Sequence, residues 1–461
     1  MPVTANHRRV LAALAATVAA LGLAASAGAA PAAEEPSSPL AVGWTRATPV
    51  VLAPGVTHTT WTEKTPDNRL RARVLQVVEI DPGAGAATLE GAIGTSDAAA
   101  ETVLEQLAAV TPVAARRPHA GVNGGLFQRE PQPSGADGNT VHTSVAVTDG
   151  VLHAASCWNG GQGSSGAVIQ YGIPYVTKLA TELKLTASPT ASVRVDDVNR
   201  TPGRIPQCAR DAEDTRVSDA PRVYADPDEI VVFTPDYGTP TPALAAGHEV
   251  VLDAKGVVTA VHENRGGTTV PAGGRILQGI GTGAAWLRTH LPVGSRPVVE
   301  TRLHDRTLGR EIPLDASVDV VSSPHQLLRG GAVPSSDDLP NSCTRSGVEP
   351  GQIDGRSTIC TDSRTALGVD LQGRPLLITL TGQDNEDGDY LRAFAALLDS
   401  GELGLVDVLN LDGGGSTTLV TGTKTRTPPT DTDAATGAKV HRKVADAVYT
   451  GVGGYGMYAK P

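Results

Sequence analysis

Near the C-terminus a carboxylate runs into three consecutive glycines, in Asn410-Leu411-Asp412-Gly413-Gly414-Gly415-Ser416-Thr417-Thr418. Consecutive glycines lose the most backbone entropy on ordering, so a fold keeps them where the chain turns sharply or approaches a ligand closely. Successive backbone N–H groups in such a bend can form an anion-binding concavity. Asp412 beside it would oppose an anion unless the two act on different parts of one substrate. A sugar phosphodiester offers that division, with phosphate for the N–H groups and sugar for the carboxylate. The plainer reading is a tight turn between two strands. Nucleotide loops do not fit. A Walker loop needs Lys before Ser416, and a Rossmann loop must open a helix. Here β-branched Thr417, Thr418 and Val420 favour a strand.

A second small-residue turn, Ala120-Gly121-Val122-Asn123-Gly124-Gly125-Leu126-Phe127, carries an amide and repeats that chemistry. Asn123 and Gly124 could meet a sugar or phosphate, or Asn123 could cap its own turn. A bound phosphate calls for a cation. Arg364 is the first choice, with the Gly413–Ser416 amides assisting and a salt bridge to Asp412 as the structural alternative. Ser416 and Thr417 could bond phosphate oxygens or complete the turn. No G-x-S-x-G elbow or His partner marks Ser416 as a nucleophile. Asp384, Glu386, Asp387 and Asp389 crowd the stretch after Gln383. Their register fails the EF-hand pattern, and they read as a solvated helix N-terminus. Arg200, His325 and Arg329 are weaker phosphate candidates, each more simply solvated or salt-bridged. Trp158 could stack on a sugar. No metal or cofactor is assigned, and no zinc-type spacing occurs.

The elements that must position these residues follow from pattern. Arg73 to Ile80 is a β-rich run, and Ser96 and Asp97 are expected to cap a helix over Ala98 to Ala109. Ser144 to Leu152 reads as two short strands about Asp149-Gly150. Residues 156–228, rich in Gly, Pro, Ser and Asp, read as long loops and short strands over a site. Strands are expected over 229–234, 248–253, 257–262 and 296–302, as a β-rich middle subdomain. Thr365 to Val369 and Pro375 to Thr381 form a hairpin through Gln372-Gly373. Asp389 caps a helix over Tyr390 to Leu398, and Val406 to Leu411 returns as a strand into the glycines. That order suggests a βαβ crossover. Thr423 to Lys439 reads as an exposed loop, and Val444 to Tyr449 as a closing strand. The fold class expected is α+β: a mixed central β-sheet with flanking helices, the β-rich middle subdomain and long loops over the site.

The chain has 461 residues, 3% aromatic, with a formal net charge of -11. That charge argues against a broad nucleic-acid surface, which needs a basic face. His7-Arg8-Arg9, the apolar run Leu11 to Ala25 and small residues through Ala30 read as a secretory signal over 1–30. Residues 31–45 read as a disordered lead-in, and 46–461 as one domain. No later stretch is apolar enough to span a bilayer. Four cysteines in an exported chain favour disulfides. Of three connectivities, Cys157–Cys208 and Cys343–Cys360 are preferred because each pair flanks one loop-rich segment.

Asn410 to Thr418 resembles the N-L-D-G-G-G-S-[ST]-T hallmark of the phosphodiester glycosidase family. Asn123 to Phe127 is similar to that family's N-[AG]-G-x-F turn. Val198-Asn199-Arg200 and Phe233 to Gly238 are similar to its central segments. Ser363-Arg364-Thr365-Ala366-Leu367-Gly368 resembles its R-T-A-[IL]-G strand, and Gly382-Gln383 its D-G-[RQ] turn. The motifs keep family order from about Arg73 to the end. Thr381 stands where many members carry Asp, and 384–389 replaces a Ser/Gly-rich link.

The resemblance implies hydrolysis of a sugar–O–phosphate bond in a glycan, phosphoglycan or similar polymer, through an oxocarbenium-like transition state. The departing phosphate monoester needs a cation or N–H cluster more than a strong general acid. Asp412 is then base, nucleophile or sugar-hydroxyl acceptor, or only a turn former. Arg364 holds the phosphate, and Asn123, Gly124, Gln383, Gly413, Gly414, Gly415, Ser416 and Thr417 line the substrate. The rivals are a phosphodiesterase cleaving P–O and a secreted glycan-binding envelope protein without turnover.

Overall fold

The computed structural model describes residues 39–64, 72–85, 87–110, 117–130, 138–218, 223–335, 339, 362–382 and 388–452. The expected signal segment, Cys343 and Cys360, and Gln383 with residues 384–387 lie outside them. Among the described residues there are thirty-three strands and five α-helices, and the longest helix, Gly281–His290, has 10 residues. No described helix is long and apolar enough to cross a membrane.

This overturns the expected α+β architecture of a mixed sheet flanked by helices. Pairing among the described strands is antiparallel except for the short contact of Asp197–Val198 with Ile230–Phe233. The expected crossover shows why. Strand Arg364–Asp370 pairs antiparallel with Pro375–Thr381 on one side and Leu405–Asn410 on the other. The tight turn at Gln372-Gly373, with Gly373 at φ 76, folds Pro375–Thr381 onto one edge. The strand returning after helix Leu391–Leu398 therefore takes the opposite edge. The two share a direction and never pair.

That trio is the middle of a sheet ordered Trp44–Arg46, Val56–Glu63, Val74–Ile80, Pro375–Thr381, Arg364–Asp370, Leu405–Asn410, Gln326–Leu328. A second sheet runs Lys424–Thr425, Leu419–Thr421, Arg117–Asn123, Ala447–Val452, Ala87–Ala92. The expected middle subdomain is not one unit: strands from Asp197–Val198 to Val258–Arg265 form a five-stranded sheet, whereas Val298–Asp305 pairs with Ile173–Ser188 in another.

Residues 156–228 are more regular than their composition implies. They hold Ser164–Gln170 and the 16-residue strand Ile173–Ser188. Small residues here serve close packing: a Cβ on Gly166 would lie 2.6 Å from Leu179 Cδ1. The helix expected from Ala98 starts at Val103. Thr102 caps it, accepting from Glu105 N, while Glu105 answers the Thr102 N–H. Asp97 is instead buried. Cys157 and Cys208 are bridged.

The glycine turn leaves the first sheet at Asn410 and enters the second at Leu419. Buried Val122, Leu367, Leu409, Leu411, Leu419 and Val448 pack in one apolar cluster drawn from both sheets. Each such side chain contributes roughly 1.5–3 kcal/mol by leaving water. The turn thus rests on packed core.

Candidate active site

Three strand ends meet at the turn. Leu411 N donates to Thr365 O at 2.8 Å, and Gly414 N to Ser363 O at 2.7 Å, tying it to the strand that begins at Arg364. Asp412 N donates to Gly124 O at 3.0 Å, tying it to the end of Arg117–Asn123. Asn123 clamps all three. Its Nδ2 donates to Asp412 O at 2.7 Å, and its Oδ1 accepts from Thr365 Oγ1 at 2.8 Å and Thr418 N at 3.1 Å. It is fully buried. The amide expected to touch substrate is therefore spent on joining segments far apart in sequence.

The turn's N–H groups are largely spent too. Gly413 N donates to Asp412 Oδ1 at 2.9 Å. Ser416 N donates to Gly413 O at 3.2 Å, and Thr417 N to Gly414 O at 3.0 Å. Gly414 lies at φ 60, a region that glycine enters without strain. With these donors engaged, guanidinium groups are the cationic groups near the turn that could meet an anion.

Two of them are at hand. A Cβ on Gly413 would lie 3.6 Å from Arg364 Nη1. Arg364 is anchored by Nε donating to Asp389 O at 2.7 Å. Burial lowers its proton affinity, while the charges of Asp362, Asp389 and Asp412 work the other way. Asp389, expected as a helix cap, instead pairs with Arg73, which also binds Glu63. The second cation, Arg442, was not foreseen. Its Nη1 lies 3.5 Å from Ser416 Oγ. Asp431 grips it bidentately, at 2.7 Å from Nε and 2.9 Å from Nη2. The pair lies against Gly415, where a Cβ would come within 2.3 Å of both. Burial works against Arg442's charge, but Asp431, Asp412 and Asp362 outweigh it and raise its proton affinity. The one signal for it in the sequence is the cationic His441-Arg442-Lys443 before the last strand.

Asp412 is half-buried. Burial pushes its carboxyl up to about 6, against a bond from Ser416, the charge of Arg442 and the Gly413 N–H. Asp446 nearby adds to the rise. A carboxyl poised there can give or take a proton near neutrality. Around it Ser363 Oγ, Asn410 Oδ1, Thr417 Oγ1 and Thr418 Oγ1 are buried without a hydrogen-bond partner among the described residues. Such atoms are rare unless water or ligand serves them.

Of the other candidates, Arg200 is fully buried and bound to Asp197 and Glu229, away from any phosphate role. Arg329 Nε donates to Gln326 at 3.1 Å, and Trp158 is 39% exposed beside the disulfide. One trio among the described residues, Asp196, Asp211 and Asp226, brings carboxylate oxygens within 4.8 Å of one another. Arg194 already pairs with Asp196 and Asp211.

A β-rich scaffold gathers a raised carboxyl, two arginines and a glycine turn at one place. The phosphodiester glycosidase family model matches residues 246–450. The family resemblance is thereby shown over the stretch holding Arg364, Asp412 and Arg442, with Asn123 N-terminal to it. No curated protein matches the chain. A Burkholderia pseudomallei protein described as exported is similar at TM-score 0.72 and 22% identity, over 91% of this chain and 98% of that one. A hypothetical protein from Synechocystis is similar at TM-score 0.56 and 17% identity, over 86% of this chain and 62% of that one. These show the fold. The zebrafish N-acetylglucosamine-1-phosphodiester alpha-N-acetylglucosaminidase catalytic domain aligns at TM-score 0.41 and 14% identity over 90% and 89%, too loose a likeness to carry argument.

Proposed function

We propose that this protein is a secreted hydrolase that cleaves a glycosyl–O–phosphate bond in a glycan or phosphoglycan. The observation that carries the reading is the approach of Arg364 to the glycine turn beside Asp412. The family match supports the reaction class. The signal-like N-terminus and the Cys157–Cys208 bridge support export, and the grouping of residues 38–461 as one unit supports a single domain, which takes in buried Leu40 and Trp44 of the expected lead-in.

Arg364 and Arg442 hold the phosphate. Water adds to the anomeric carbon as the C–O bond breaks, and the bonding pair leaves on the phosphate oxygen. The monoester so formed has a second pKa of roughly 6, so it departs without a strong acid. Asp412 takes the proton of the attacking water, or directs a sugar hydroxyl. Ser416 and Thr417 orient the phosphate, and Asn123 holds the three segments in place.

The test is hydrolysis of defined sugar-1-phosphodiesters in ¹⁸O-water. Label in the released sugar supports C–O cleavage. Label in the phosphate marks a phosphodiesterase, and no product across the panel marks a binding protein. Asp412→Asn should abolish turnover while leaving the folded-state circular dichroism unchanged. A fully active variant removes Asp412 from the chemistry.

A further inference from the structure

A buried ion triad stands behind Arg364, and the proposed reaction does not use it. Glu63 closes strand Val56–Glu63, Arg73 immediately precedes strand Val74–Ile80, and Asp389 comes just before helix Leu391–Leu398. Arg73 grips Glu63 with a fork: Nε donates to Oε2 at 3.0 Å and Nη2 to Oε1 at 2.6 Å. Its third nitrogen, Nη1, pairs with the Asp389 carboxylate, 316 positions away. The Arg73 side chain is 12% exposed and each carboxylate partner 7%. The guanidinium also lies over the Trp44 ring, 5.3 Å from its centroid.

Replacing buried ions by apolar side chains of like volume often leaves a protein as stable or more so. Stability alone therefore accounts poorly for the triad. What the triad does fix is a peptide. Asp389 is held on three sides: its Oδ2 pairs with Arg73, its Oδ1 accepts from Tyr390 N at 2.9 Å, and its N–H donates to Asp362 O at 3.0 Å. The helix that follows is seated by Leu391, Phe394 and Leu398 in the same apolar cluster as Trp44. The Asp389 carbonyl accepts from Arg364 Nε at 2.7 Å. A guanidinium is planar with its donors in a fixed fork, so a bond at Nε sets where both Nη atoms point. That bond orients the cation without cancelling its charge. Arg364 Nη1 then lies 3.6 Å from where a Cβ on Gly413 would stand.

We propose that Arg73 and Asp389 are positioning residues for Arg364: the salt bridge between them fixes the Asp389 peptide, whose carbonyl aims the Arg364 guanidinium at the glycine turn. The purpose of this arrangement rests on the phosphate-holding role proposed for Arg364, whereas the arrangement itself can be tested without turnover. Glu63 and Trp44 keep Arg73 in place from the far side. Residues at the N-terminal edge of the first sheet thus bear on a group at its centre.

The experiment follows the Arg364 Nε–H signal in the full chain labelled with ¹⁵N-arginine, assigned by its loss in Arg364→Lys. The triple variant Glu63→Gln, Arg73→Met, Asp389→Asn removes the triad without orphaning a charge. Exchange of the Nε proton with water should quicken by roughly 10-fold or more, as loss of a bond from a charged donor gives. The backbone amides of strand Arg364–Asp370 should stay protected, a pattern that general loosening of the fold does not produce. On a sugar-1-phosphodiester, kcat/KM should fall by roughly 10²-fold, the cost of a misplaced group about 1 Å from its working position. Arg73→Lys keeps the charge but lacks the fork that spans both carboxylates. It should show the same changes in smaller measure, and it decides the matter if the triple variant does not fold. Unchanged Nε–H exchange in the variants that fold overturns the proposal, as does quickened exchange with unchanged kcat/KM. Quickened exchange, in a protein whose unaltered form hydrolyses no phosphodiester, upholds the positioning and defeats the glycosidase reading.

Discussion

Asp412 holds its proton more tightly than an ordinary carboxyl, and this has a consequence for stability as well as chemistry. Its folded-state value of about 6 stands above the reference of 3.8. The unfolded chain loses that proton first, so stability falls as pH rises through this window. Asp412→Asn should therefore raise the melting temperature at pH 7.5 and leave it nearly unchanged at pH 4. Partial exposure reduces the gain to about 1–2 kcal/mol. In turnover the sign runs the other way. With Asp412 as base, kcat/KM should climb through about pH 6 to a plateau. Arg364→Lys keeps the charge but loses the planar fork beside Gly413. It should lower kcat/KM by roughly 10²-fold, in line with loss of one preorganised donor. Arg442→Gln should cost less, because Asp431 already shares that guanidinium.

At the scale of elements, the site is a joint between two sheets, and Asn123 is its pin. Asn123→Ala removes three hydrogen bonds and orphans buried Thr365 and Thr418 donors. It should cost about 3 kcal/mol in urea unfolding, and lose activity although the residue need never touch substrate. Gly124→Ala forces a methyl into the Asp446 carboxylate. It should destabilise by about 1–3 kcal/mol, the usual cost of overpacking. A milder loss than Gly121→Ala at its surface-free strand position is not expected, since that Cβ would also meet Leu107 and Val448 O at about 3 Å.

Over the whole molecule, the segment that sequence composition assigned to loops is held by buried electrostatics and one covalent bridge. Asp197 binds Arg200 and Arg210, and Arg200 binds Glu229, all nearly inaccessible to water. The Cys157–Cys208 bridge closes a separation of 51 residues. Replacing both cysteines by serine should lower stability by about 2–4 kcal/mol, read from denaturant midpoints with and without reductant. Full stability of the double variant would mean that the ion network alone secures the segment. The net charge of -11 places two arginines in a chain that is otherwise acidic. In the proposed reaction any selectivity for phosphate would have to come from local geometry, since the overall field repels anions.

Asp412, the three glycines and Arg364 could be singled out in the sequence as a candidate site because local patterns mark them: a strand entering small residues, and a lone arginine opening another strand. Most strand positions in the C-terminal part were legible for the same reason, since apolar runs and Gly-containing turns are short-range signals. The fold class was not. Helix Leu391–Leu398 reads as a crossover unit, yet which edge of Arg364–Asp370 the returning strand takes depends on the edge already filled by Pro375–Thr381. Asp431 and Asp446 were likewise silent, as was the spending of Asn123 on the joint, and Arg442 was marked only by its cationic neighbours. Their meaning lies in tertiary contacts, from the Arg442–Asp431 pair 11 positions apart to the Asn123–Asp412 bond 289 apart. Periodicity and motif report what a segment prefers; pairing partners, burial and the fields of neighbouring charges exist only once the chain has closed on itself.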